Sequence, residues 1–186
     1  MIIAVVGSGG KTSLIRQLAA QYRQQGKTVL ITTTTHMYIE PDTLLTDDAV
    51  AILDALQEKG KVMAGVPEGE KIRALSHGTY RKVCAHADVV LVEADGAKHM
   101  ALKFPNENEP VIPENADRII IVWGPHGLGK PARQVCHRLE LVKQCLGIDA
   151  DTIITEDHVR KLLREGYLLP LQRSHPHAQI TVFPPL

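Results

Sequence analysis

Five short aliphatic runs restrict the fold of this chain more than any other feature: 2–6 (IIAVV), 28–34 (TVLITTT), 61–66 (KVMAGV), 88–92 (DVVLV) and 118–123 (RIIIVW). Runs this short, rich in valine, isoleucine and threonine, suit strands, and unbroken apolar stretches suit strands covered on both faces. Between them the apolar residues change period. Leu14, Ile15, Leu18, Ala19 and Tyr22 recur at helical spacing before Gly26. Ala49, Ile52, Leu53 and Leu56 do the same between Asp47, the expected cap, and Gly60. Helices are also predicted over part of 69–85, over 134–146 and over 156–165, with short strands at 152–155 and 179–183. Strands alternating with helices need crossover connections. The predicted class is therefore α/β, three layers, with a mostly parallel sheet and helices on both faces.

At 186 residues the chain is read as a single domain, 1–186, able to bury roughly 70% of its unfolded surface. Aromatic residues make up only 4%, so the core must be aliphatic. Lysine plus arginine and aspartate plus glutamate both total 21, and no basic stripe stands out, which argues against nucleic acid as a partner. The apolar runs are too short to span a bilayer, and the N-terminus does not read as a signal peptide. Cys84, Cys136 and Cys145 fit neither a disulfide framework nor a zinc pattern, so they read as buried small hydrophobes. A reduced, cytoplasmic protein is expected.

Two stretches compete as a phosphate-binding loop. Gly7-Ser8-Gly9-Gly10-Lys11-Thr12-Ser13 lies between an apolar run and a helical pattern, so glycine amides and a helix start converge there. Lys11 is placed to reach terminal phosphates and Thr12 to ligate Mg²⁺. Val5 stands where the usual G-x-x-x-x-G-K-[ST] pattern has its first glycine, so this is a shorter G-x-x-G-K-T loop, resembling that of the Mur-type ligases. GPHGLGK (124–130) keeps the literal spacing, but Pro131 removes both the hydroxyl and the amide needed next. It reads as a turn. The first stretch makes the fold P-loop NTPase-like and predicts a bound ATP or GTP with Mg²⁺.

An acid at the end of an apolar strand should complete such a site. VVLVEADG supplies Glu93 and Asp95, which share one side of an extended strand. Asp95 is expected to bind the metal with Thr12, and Glu93 to orient water or an acceptor. Lys11, Glu93 and Asp95 form the candidate catalytic set. The run Thr32 to Thr35 ends the second strand, where Thr34 offers a hydroxyl to metal or phosphate; threonine is equally a plain strand residue. The segment KFPNENEPVIPEN (103–115) has too many prolines and acids for a core element and reads as a functional or disordered loop.

VVGSGGKTS, ITTTTHM, VEADGAKHMALKFPNENEPVIP and GLGKP with the following CHR, in that order, resemble the YqeC family. The resemblance implies a P-loop-type nucleotide-binding fold and a part in equipping molybdenum hydroxylases with a selenium-containing cofactor. It implies that Lys98 joins the phosphate-binding set, and that Lys98, Lys103, Glu109 and Pro110 line the same face. It also implies a C-terminal base-recognition loop, which is expected to be missing because the sequence here reads ITVFPPL at its end.

The leading expectation is thus an Mg²⁺-dependent nucleoside triphosphatase or phosphoryl transferase in selenium or molybdenum cofactor maturation. Its partners would be the nucleotide and a molybdenum hydroxylase or another cofactor-assembly protein. Alternatives are a non-catalytic nucleotide-dependent switch or chaperone for a hydroxylase, and a Mur-ligase-like ATP-dependent ligase.

Overall fold

The computed structural model describes residues 1–96 and 100–186, so the role expected of Lys98 lies outside the described residues. The chain divides into two compact units. One comprises 1–5, 12–94 and 111–117, the other 6–11, 95–110 and 118–186.

The first unit takes in most of β1 (Ile2–Gly7) and α1 (Lys11–Gln24). It continues through β2 (Val29–Thr33), β3 (His36–Tyr38), β4 (Leu44–Leu45), α2 (Ala49–Lys59), β5 (Lys61–Glu68), β6 (Lys71–Arg73), α3 (His77–Cys84) and β7 (Val89–Glu93). Its strands run in the order β1-β7-β2-β5-β6-β3, with β4 alongside β5. β1, β7, β2 and β5 are mutually parallel, as the alternation of strands and helices predicts. Every residue of β1, β2 and β7 is buried, which explains why these runs are aliphatic without a break.

The edge of this sheet departs from the sequence reading. β6 and β3 are antiparallel additions, and 69–85, expected to be helical over part of its length, holds the hairpin strand β6 and then α3. The cap of α2 is Asp48, whose Oδ1 accepts from the Val50 amide at 2.9 Å. Asp47 instead accepts from the Ser76 amide at 2.8 Å, just where α3 begins. Adjacent aspartates thus cap one helix and anchor the entry to the next.

The second unit holds β8 (Leu102–Lys103), β9 (Arg118–Val122), α4 (Ala132–Val135), β10 (Cys136–His137), α5 (Leu139–Leu146), α6 (Glu156–Leu163), α7 (Leu169–Ser174) and β11 (Gln179–Phe183). β9 and β11 pair in parallel, as do β8 and β10. The single helix predicted over 134–146 is broken at Arg138, which has φ 58°. The strand predicted at 152–155 reduces to one bridge, Ile153 with Pro131. α6 continues through a π-helical turn (Arg164–Leu168) into α7, which carries Pro170 in its first turn. The molecule is a mixed α/β protein with a mostly parallel sheet. Among the described residues no helix is long and apolar enough to cross a membrane.

Candidate functional site

The glycine loop leaves β1 in a conformation that only glycine adopts cheaply. φ is 87° at Gly7, 74° at Gly9 and 135° at Gly10. Space is as restrictive as torsion: a Cβ on Gly7 would lie 2.1 Å from the Val122 carbonyl oxygen, and one on Gly9 would lie 2.6 Å from the Gly124 backbone. Ser8 anchors the turn. Its amide donates to the Val122 carbonyl at 2.9 Å and its hydroxyl to the Ala101 carbonyl at 3.0 Å. Lys11 opens α1 and folds back, with Nζ donating to the Gly7 carbonyl at 3.0 Å and the residue only 6% exposed. Gly10 and Ser13 are exposed.

GPHGLGK forms the wall against which Gly9 packs. It carries a short 3-10 turn (Pro125–Gly127), and Gly129 and Ala132 donate to the carbonyls of Ile154 and Thr152 at 2.9 and 3.0 Å. Lys130 is exposed. This stretch is a turn, as Pro131 implies.

Asp95 is fully buried, and both its oxygens are taken within the second unit. Oδ2 accepts from the Gly7 amide at 3.2 Å and from the Tyr167 hydroxyl at 2.8 Å. Oδ1 forms an ion pair with Lys103, which is 1% exposed and also donates to the Gly96 carbonyl. Burial pushes the Asp95 carboxyl up from the usual carboxylate range, against the pull of Lys103 and Tyr167. Burial, reinforced by the charge of Asp95, holds the Tyr167 phenol far above its usual range, so it stays protonated and donates.

Lys103 also pairs with Glu109, and Arg138 grips the same carboxylate, with Nη2 2.9 Å from Oε1. Burial raises the Glu109 carboxyl, but hydrogen bonds from Arg138 and Lys103 outweigh it and leave its pKa at about 2. Residues 103–110 are therefore tied down by a chain of charges. The sequence reading named Lys103 and Glu109 only through the family resemblance, and missed Arg138 and Tyr167. Arg138 sits in the quoted CHR; Tyr167 carried no signal, lying just beyond the helix expected over 156–165.

In the first unit the Thr12 hydroxyl donates to Glu93 Oε2 at 3.1 Å, and Glu93 is 8% exposed at the end of β7. The Glu93 carbonyl accepts from the Thr33 hydroxyl at 2.7 Å and the Thr34 amide at 3.2 Å. The Thr34 hydroxyl donates to the Val111 carbonyl at 2.6 Å, so it serves the backbone. Among the described residues no group of three or more His, Cys, Asp and Glu side chains could hold a metal by itself.

Comparison with known proteins places these residues in context. The family model described as YqeC protein matches residues 3–140. A relative from Escherichia coli (strain K12), described as "Uncharacterized protein YqeC", is 35% identical over 180 residues, covering 88% of this chain and 67% of the relative. No solved structure matches.

Proposed function

On the premise that this chain belongs to the YqeC family, we propose that it binds a nucleoside triphosphate, ATP or GTP, with Mg²⁺, and hydrolyses it or transfers its terminal phosphoryl group. Its place would be the maturation of the selenium-containing cofactor of molybdenum hydroxylases. One observation carries the reading: a buried strand runs into three glycines with positive φ and then directly into a helix whose first residue is lysine. That arrangement gathers backbone amides and a cation where an anion would sit.

The Gly7 and Ser8 amides are spent on Asp95 and Val122, so the phosphate cradle is assigned to Gly9, Gly10 and Lys11 in the second unit. Lys11 Nζ would leave the Gly7 carbonyl for a phosphate oxygen. In the first unit the Thr12–Glu93 pair offers two hard oxygens of the kind Mg²⁺ takes, and the metal donors are assigned there. When bound, Mg²⁺ would supply charge neutralisation for the phosphates. Asp95, with both oxygens engaged, is assigned to holding the loop rather than the metal.

A second reading, a nucleotide-dependent switch for a partner protein, is favoured by the ion pairs that hold 103–110. Calorimetric titration with ATP and GTP, with and without Mg²⁺, followed by phosphate release, tests both. Binding with turnover supports the enzyme, and binding without turnover the switch. Absence of binding to either nucleotide refutes both.

A further inference from the structure

A carboxylate that must present one oxygen to a loop amide needs its own rotation fixed, because the terminal torsion of aspartate is broad. Asp95 in the second unit is fixed from both sides. Lys103 holds Oδ1, and the Tyr167 hydroxyl shares Oδ2 with the Gly7 amide. Tyr167 comes from the π-helical turn, 72 residues away in sequence, and is wholly buried. Such turns insert an extra residue into a helix and recur at functional sites. This one is braced, since a Cβ on Gly166 would lie 3.1 Å from both Phe104 and Pro105. Lys103 is held in turn by Glu109, and Glu109 by Arg138. The chain of contacts ends at Gly7, the residue that sets the direction of the glycine loop.

We propose that Tyr167 and Lys103 are positioning residues for the phosphate loop, acting through Asp95 to fix the Gly7 amide; this rests on the phosphate-binding reading above. Neither is given a contact with the ligand. With the hydroxyl of Tyr167 gone, Asp95 Oδ2 loses its stronger donor, the carboxylate gains rotational freedom, and the Gly7 amide loses a fixed acceptor. The amides of Gly9 and Gly10 follow Gly7 along the chain, so their direction loosens with it.

The test compares Tyr167→Phe, which keeps the buried ring, with Leu171→Ala, which removes buried volume in α7 and none of the hydrogen bonds of Asp95. Two readouts are taken on isotope-labelled full-length protein. One is the Gly7 amide proton resonance without ligand; the other is the affinity for Mg²⁺-tripolyphosphate, which has no base or sugar. The expected result is that Tyr167→Phe moves the Gly7 resonance upfield and weakens tripolyphosphate about threefold to tenfold, the scale of one lost hydrogen bond, while Leu171→Ala leaves both in place. An unmoved Gly7 resonance, an affinity within about twofold of wild type, or an equal effect from Leu171→Ala overturns the proposal. Should wild type bind no tripolyphosphate, the phosphate-binding reading fails, and the Gly7 resonance alone decides whether the relay holds the loop. If Tyr167→Phe does not fold, Glu109→Gln, altered at a partly exposed partner of Lys103, carries the same two readouts. A Gly7 resonance unmoved in that variant overturns the relay.

Discussion

Lys11 and Lys130 both follow glycine, yet their surroundings separate them. Lys11 is buried with Nζ on the Gly7 carbonyl, whereas Lys130 is exposed beside a proline. A charge-assisted hydrogen bond to phosphate contributes about 1.5–3 kcal/mol, so Lys11→Ala should weaken nucleotide binding about ten- to a hundredfold. Lys130→Ala should change it less than about threefold, and a larger loss from Lys130 in parallel titrations would show that the wrong loop had been assigned. The two acids at the end of β7 and just beyond it divide in the same way. Glu93→Gln is expected to weaken Mg²⁺-nucleotide binding more than metal-free binding, because its partner is the Thr12 hydroxyl. Asp95→Asn should weaken both forms alike and lower the unfolding free energy by about 1.5–3 kcal/mol, since a fully buried lysine loses one of its two counter-charges and keeps Glu109. Urea titration beside the binding curves reads both effects, and a loss confined to the Mg²⁺ form for Asp95→Asn would return that residue to the metal.

Gly9 makes the turn between β1 and α1 testable as an element. Gly9 and Gly129 have nearly equal φ, 74° and 73°, but a Cβ on Gly9 meets the Gly124 backbone at 2.6 Å whereas one on Gly129 meets nothing within 4 Å. Gly129→Ala should cost about 1–2 kcal/mol for the torsion alone, and Gly9→Ala distinctly more. Equal costs in thermal unfolding would mean that the wall formed by 124–130 does not confine the loop. The central strands and this turn were legible in the sequence because they obey local rules: aliphatic runs for doubly covered strands, glycine where φ is positive. The edge strands β3, β4 and β6 were not, because two or three residues carry too little periodicity to register. The break at Arg138 was hidden by residues that would suit an uninterrupted helix, and the helix expected over 156–165 stopped short of most of the π-helical turn. Within the candidate site, Lys11, Thr12 and Glu93 lie in or beside local motifs. The Tyr167–Asp95 bond spans 72 residues, and no spacing rule reaches that far.

At the scale of the whole molecule, stability should respond to acid through Glu109. Its carboxyl has an ordinary pKa of 4.5 and is held at about 2 in the folded protein. A folded value below the unfolded one means the stabilisation is complete above the unfolded value and is lost as pH falls through the folded one. Unfolding free energy should therefore decline between about pH 4.5 and pH 2, and Glu109→Gln should flatten that decline relative to wild type. Identical pH profiles would show that the pairing with Lys103 and Arg138 adds nothing to the fold. The depth of Lys103 has a practical consequence of another kind. Its amine, with a side chain fully shielded, cannot meet an acylating reagent until the second unit opens, whereas exposed lysines such as Lys130 react at once. With the reagent reacting faster than the unit recloses, the slow appearance of label at this one position in a mass spectrum would count opening events directly. The chain thus carries its own clock for how often that unit breathes, and a bound ligand that steadies it would make the clock run slow.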